Sequence, residues 1–202
     1  MSLPRRWILA TGNRGKVAEF AALFRESGLA LELVAQSDLA VPAAPEPAAT
    51  FVENALLKAR HATRLTGLPA IADDSGLAVD ALGGAPGVLS ARFAGPNADD
   101  RANVAKLLAA LAAVPAAPRT ARFHCVLVAL LHADDPAPEI ATGEWRGEIA
   151  ATGRGSNGFG YDPVFLDPAL GRTAAELSAA EKNRVSHRGA ALRRLVELFK
   201  KR

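Results

Sequence analysis

The stretch that most constrains this chain is the apolar run Leu68 to Ala72 together with the polar group behind it, Asp73-Asp74-Ser75-Gly76. The run is too short for a helix and reads as a buried strand. In open α/β sheets ligands gather at the carboxyl ends of the strands, so the strand would deliver its polar residues where a ligand binds. Two acids in succession on a strand face opposite ways, and only one would look into a cleft. A carboxylate placed there can hold a hard cation or activate water. Asp-Asp-Ser-Gly is also good turn chemistry, and judged alone the turn reading leads. The rest of the chain decides between them.

At 202 residues the chain can build one large domain or two small lobes with a proper core. Its net charge of +3 suits a phosphorylated ligand but is too small for wrapping a nucleic-acid backbone. The single cysteine, Cys125, lies in the apolar run Phe123 to Leu131; it can form no internal disulfide, fits a reducing compartment and reads as core. Met1 to Arg6 is basic, but the apolar run behind it, Trp7 to Ala10, is too short for a signal segment. No apolar stretch approaches the ~20 residues of a membrane span. A cytoplasmic protein is expected.

Trp7 to Thr11 reads as the first strand, Gly12-Asn13-Arg14-Gly15-Lys16 as a glycine-punctuated turn, and Val17 to Ser27 as a helix stopped by Gly28. Strand, glycine turn and helix together can hold an anion, with backbone N–H groups and Lys16 facing it; a plain β–α turn is the competing reading. Leu29 to Gln36 reads as a strand and Val41 to Ala49 as an irregular Pro/Ala-rich loop. Thr50 opens a helix over Phe51 to Thr66 with Glu53 at capping-box spacing, and Gly67 ends it. Glu53 is either a cap or a second carboxylate for the cation. Leu77 to Leu82 reads as the return arm of a hairpin, and a helix follows Asp99 or Asp100 to about Val114. Arg119–Leu131 and Glu139–Ala150 pair as a hairpin. Gly153 to Pro163 is a glycine-rich loop ending in Phe159, Tyr161 and Asp162, able to lay a ring against a planar ligand. Helices are expected around 174–180 and from His187 onward, with Lys182, Ser186, His187 and Arg188 at the entrance of the last.

Six segments in this order resemble the inosine triphosphate pyrophosphatase family, most closely its bacterial XTP/dITP diphosphatase branch. They are Ala10-Thr11-Gly12-Asn13 through Gly15-Lys16, Phe51-Val52-Glu53-Asn54-Ala55 with Lys58-Ala59, Ala72 to Leu77, Ser90-Ala91-Arg92-Phe93, Gly158 to Pro163, and Ser186 to Gly189. The resemblance covers Ile8 to about Leu195. The chain departs from the pattern only at its N-terminus and in the loop Val41 to Ala49, and neither departure is expected to touch a site.

The resemblance implies an α/β fold: a long, twisted mixed β-sheet flanked by helices, forming a single domain over residues 1–202 with two lobes around a deep cleft, usually as a homodimer. It implies Mg²⁺-dependent hydrolysis of ITP, dITP and XTP to the monophosphate and pyrophosphate. Asp74 would be the catalytic acid and a metal ligand, with Glu53 as the additional metal carboxylate. Thr11, Gly12, Asn13, Arg14, Gly15 and Lys16 would hold the triphosphate and Ser75 would bond the substrate. Phe159, Gly160, Tyr161 and Asp162 would surround the base, with Lys182, His187 and Arg188 as the remaining contacts. A pocket of donors from His187, Arg188 or backbone N–H groups would accept a 6-oxo purine and reject adenine. The rival from another class is a non-catalytic nucleotide- or RNA-binding module. Against it stand the paired acids, which make little sense beside phosphates without a metal.

Overall fold

The computed structural model describes residues 3–29 and 31–201. Its elements, in chain order, are β1 (Arg6–Leu9), α1 (Arg14–Glu26), β2 (Glu32–Ala35), α2 (Phe51–Thr66), β3 (Ala70–Val79), α3 (Asp100–Ala112), β4 (Thr120–Leu130), β5 (Glu139–Ile149), β6 (Phe165–Asp167), β7 (Arg172–Thr173), α4 (Ala179–Val185) and α5 (His187–Lys200). The strands form one seven-stranded sheet in the order β2-β1-β3-β4-β5-β6-β7. β1 pairs parallel with β2 and β3, while β6 pairs antiparallel with β5 and β7. The expected mixed α/β sheet is present.

Local chemistry explains where elements begin. Thr50 caps α2 by accepting from the Glu53 N–H, and Gly67 closes it at φ 68°. Asn13 caps α1 through the Lys16 N–H, so the helix starts at Arg14 and takes in Gly15 and Lys16, which the sequence reading had placed in a turn. Of the strand expected over Leu29–Gln36, Glu32–Ala35 is a strand, while Ala30 lies outside the described residues. The helix expected around 174–180 resolves into a 3-10 turn at Ala174–Glu176 and α4, each opened by its own capping box, on Thr173 and Ser178.

The largest correction concerns the central stretch. Asp73 to Gly76 is neither a turn nor a strand end but the middle of β3, which runs unbroken to Val79. Leu77–Val79 is therefore the same strand and not a returning hairpin arm; a short 3-10 turn, Asp80–Leu82, follows it. The two acids stay inside the sheet because each meets a half-buried ammonium, which removes the need to turn out toward water.

Two compact units can be distinguished. The first comprises residues up to Asp74, Cys125–Gly143 and those from Arg188 onward. Strand alternation sorts its side chains into two cores. Trp7, Leu9, Ile71, Cys125 and Leu127 pack with Phe20, Leu23 and Phe24 of α1 and with Leu192, Leu195 and Phe199 of α5. Ile8, Ala10, Ala70, Ala72 and Val128 pack with Ala55, Ala59 and Ala62 of α2. α1 and α5 thus share one set of strand residues and α2 takes the other. The second unit comprises Ser75–His124 and Glu144–His187. Its core joins Leu77 and Val79 to Leu107, Leu111, Phe123, Trp145, Tyr161 and Phe165.

Candidate active site

Alternation along β3 puts Asp73 on the side of Ile71, toward α1 and α5, and Asp74 on the side of Ala72, toward α2. Each acid finds its cation there. Asp73 is 1% exposed; its Oδ2 lies 2.8 Å from Lys16 Nζ of α1 and 3.6 Å from Arg188 Nε of α5. Asp74 is 7% exposed, and its Oδ1 accepts from Lys58 Nζ of α2 at 3.0 Å.

Adjacent in sequence, the two carboxyls are tuned in opposite directions. Burial disfavours the charge on Asp73, but Lys16, Arg188 and Lys58 outweigh it and hold that carboxyl far below the usual carboxylate range. At Asp74 burial wins: it pushes the carboxyl up, Lys58 pulls against it only in part, and Glu46 adds to the rise. Asp74 Oδ2 is buried and has no hydrogen-bond partner among the described residues.

Glu46 escaped the sequence reading. It belongs to the loop Val41 to Ala49, expected to lie away from any site, yet its Oε1 stands 2.8 Å from Lys58 Nζ. One ammonium therefore serves both Glu46 and Asp74. A signal was present: Glu46 is the only acid between Asp38 and Glu53 and stands between two prolines. Glu53 is exposed and turned to its own helix start, its Oε2 accepting from Thr50 Oγ1 at 2.6 Å. Glu19 was also missed. It ion-pairs with Arg188, and its position three residues after Lys16 puts the two on one helical face.

Among the remaining residues expected at the phosphates, Thr11 Oγ1 accepts from the Asn13 N–H at 3.2 Å and Asn13 Oδ1 from the Lys16 N–H at 3.1 Å. Those two N–H groups are therefore already engaged as turn and cap. Gly12 sits in the turn and Gly15 in the first turn of α1. That first turn carries no acidic residue, as suits a helix start facing an anion. The Arg14 side chain lies outside what is described. Ser75 is half-buried on β3.

The second unit gathers the residues expected around a base. Asp162 Oδ2 accepts from the Phe159 N–H at 2.9 Å and from Lys182 Nζ at 2.6 Å. The Lys182 ammonium also lies over the Phe159 ring, 4.8 Å from its centroid. Gly158 adopts φ 76°, and a Cβ there would meet Asp162 Oδ2 at 2.0 Å, so any side chain would be strained and would displace the Asp162 carboxylate. Gly160 donates its N–H to Asp100 Oδ2 at 2.7 Å, and the Tyr161 hydroxyl donates to the Ser90 carbonyl at 2.9 Å. His187 stacks on Phe123 with ring centroids 4.7 Å apart. The structure thus brings Phe159, Gly160, Tyr161, Asp162 and Lys182 together, whereas Arg188 is grouped with Glu19 and Asp73.

This is an α/β protein whose charged centre is built from adjacent acids on one strand and cations from three helices. A model of the Ham1 family matches residues 7–198, and the chain belongs to that family. It is 61% identical over 193 residues to a dITP/XTP pyrophosphatase of Erwinia tasmaniensis, covering 96% of this chain and 93% of that protein. It is 58% identical to a dITP/XTP pyrophosphatase of Yersinia pseudotuberculosis, covering 96% and 97%. Among solved structures, a HAM1 protein from Coxiella burnetii aligns with TM-score 0.91 at 49% identity, covering 98% of this chain and 100% of that one. A dITP/XTP pyrophosphatase from Mycobacterium abscessus aligns with TM-score 0.73 at 44% identity, covering 94% and 98%. The family read from the six motifs and the family that matches are the same.

Proposed function

We propose that this chain hydrolyses non-standard purine nucleoside triphosphates, namely ITP, dITP and XTP, to the monophosphate and pyrophosphate, clearing them from the nucleotide pool. The observation that carries the chemical step is Asp74: a buried carboxyl, pushed up by desolvation, with one oxygen on Lys58 and the other without a hydrogen-bond partner among the described residues. A carboxylate whose pKa is raised toward working pH is a better base. Asp74 takes a proton from water, and the water oxygen bonds to the α-phosphorus. The bond from that phosphorus to the α–β bridging oxygen breaks, and pyrophosphate leaves with the electron pair. Lys16, held against Asp73 by their ion pair, would meet the phosphates.

The donor set fits Mg²⁺. No group of three or more His, Cys, Asp or Glu side chains forms a metal cage among the described residues, and Mg²⁺ needs only one or two carboxylates where phosphates and water complete its shell. Asp74 would be one of the carboxylates that hold it. Glu46 is a further candidate for a second carboxylate beside Glu53, since it shares the Lys58 ammonium with Asp74. When bound, Mg²⁺ supplies charge neutralisation on the phosphates.

In the second unit Phe159 offers a face for a purine, and Asp162 and Lys182 offer an acceptor and a donor for its edge. A 6-oxo group meets donors well and an adenine amino group does not. The homodimer and the cytoplasmic setting implied by the resemblance belong to the same reading. No helix among the described residues is long and apolar enough to cross a membrane. A nucleotide panel with Mg²⁺ tests the proposal: ITP, dITP and XTP should release pyrophosphate well ahead of ATP, and equal turnover of all four would overturn it.

A further inference from the structure

We infer that Asn54 is a positioning residue, whose side-chain amide sets Glu46 against Lys58 and so shapes the Glu46–Lys58–Asp74 array. Asn54 is 0% exposed on α2. Its Oδ1 accepts from the Ala48 N–H at 3.0 Å and its Nδ2 donates to the Ala48 carbonyl at 3.3 Å, so one side chain captures both backbone groups of one loop residue. One helical turn later Lys58 reaches Glu46 at 2.8 Å. Near the next turn His61 Nε2 lies 3.0 Å from the Pro42 carbonyl. The loop therefore runs back along α2, with Ala48 at Asn54, Glu46 at Lys58 and Pro42 at His61.

Only Pro47 separates the clamped Ala48 from Glu46, and Pro45 precedes it. A proline ring fixes its own φ and bars the preceding residue from the helical region. Glu46 thus has little backbone freedom of its own, and a position fixed at Ala48 is passed on to its carboxylate. A clamp on a loose glycine loop would anchor the chain and no more; here a stiff connection joins the clamp to the charged centre.

The consequence for catalysis rests on the reading proposed above; the geometry does not. Two variants test it: Asn54→Ala, and the double substitution Pro45→Gly/Pro47→Gly at exposed sites, which loosens the connection while leaving α2 intact. In metal-free, nucleotide-free protein, hydrogen exchange at the Ala48 amide should accelerate about tenfold or more in Asn54→Ala, the worth of about one lost hydrogen bond. With ITP and Mg²⁺, both variants should lose about tenfold in kcat at nearly unchanged KM and need more Mg²⁺ for half-activation. In a Glu46→Gln background Asn54→Ala should cost almost nothing further. Variants that fold and keep the parent kcat and Mg²⁺ requirement would overturn the inference, as would an equal loss in both backgrounds. If the parent releases no pyrophosphate from ITP, the reaction reading fails, while Ala48 exchange still decides whether Asn54 holds the loop.

Discussion

Neighbouring residues of the same type should respond oppositely to the same mutation. Asp73→Asn removes the anion shared by Lys16 and Arg188 in a fully buried place. Breaking a buried pair from one side costs about 3–5 kcal/mol, and the low end applies because Arg188 keeps Glu19. For a chain of this size that low end is a fall in Tm of about 6–12 °C. Asp74→Asn orphans nothing, because Lys58 keeps Glu46, and it removes a carboxylate whose ionisation burial opposes. Asp74→Asn should therefore melt at or above the parent temperature at pH 7 while losing turnover. The pH dependence follows with opposite signs. The folded pKa of Asp73 is depressed, so its contribution is present above the unfolded value of about 3.9 and fades as pH falls below it. The folded pKa of Asp74 is raised, so its contribution is full below about 3.9 and is lost as pH rises through the folded value; the advantage of Asn at position 74 should grow over that range. Thermal melts of the three proteins from pH 3 to 8 measure all of this. Equal destabilisation by the two substitutions at pH 7 would refute the reasoning.

Gly158→Ala should displace Asp162 from the Phe159 N–H and from Lys182, lowering kcat/KM for ITP about tenfold or more and lowering the melting temperature as well, since a buried pair is broken; steady-state kinetics and thermal melts check it. Cys125 is buried among the first core and its thiol is pushed up to about 12 by burial, so it should resist a thiol reagent at pH 8 in the native protein and react once urea unfolds it. Leu127→Ala, at a fully buried position on β4, should cost about 2–5 kcal/mol in urea titrations with kcat at 25 °C unchanged.

What the sequence made legible was whatever local chemistry decides. The α2 boundaries follow from Thr50 and Gly67, and the opposite facing of Asp73 and Asp74 follows from strand alternation. What it hid was long-range. Asp-Asp-Ser-Gly alone looks like a turn, and the other motifs turn that reading toward a strand bearing a site acid; its place in the middle of β3 depends on the cations of α1, α2 and α5, which come from distant parts of the chain. Glu46 sits in a loop with no periodicity, so only the fold brings it to Lys58. Glu53 shows the strength of a local signal: an acid at capping-box spacing is found turned to its own helix start, accepting from Thr50 Oγ1. Arg188 was read beside His187 by sequence adjacency, yet it pairs with Glu19 and Asp73 while the His187 ring stacks on Phe123.

The central claim is that Asp74 drives attack of water on the α-phosphorus. Hydrolysis of ITP in ¹⁸O-labelled water with Mg²⁺ tests it most directly, by locating the label in the products. One ¹⁸O in the monophosphate, unlabelled pyrophosphate, and loss of both products in Asp74→Asn are expected. Label in pyrophosphate, release of orthophosphate, or full turnover by Asp74→Asn would contradict the claim.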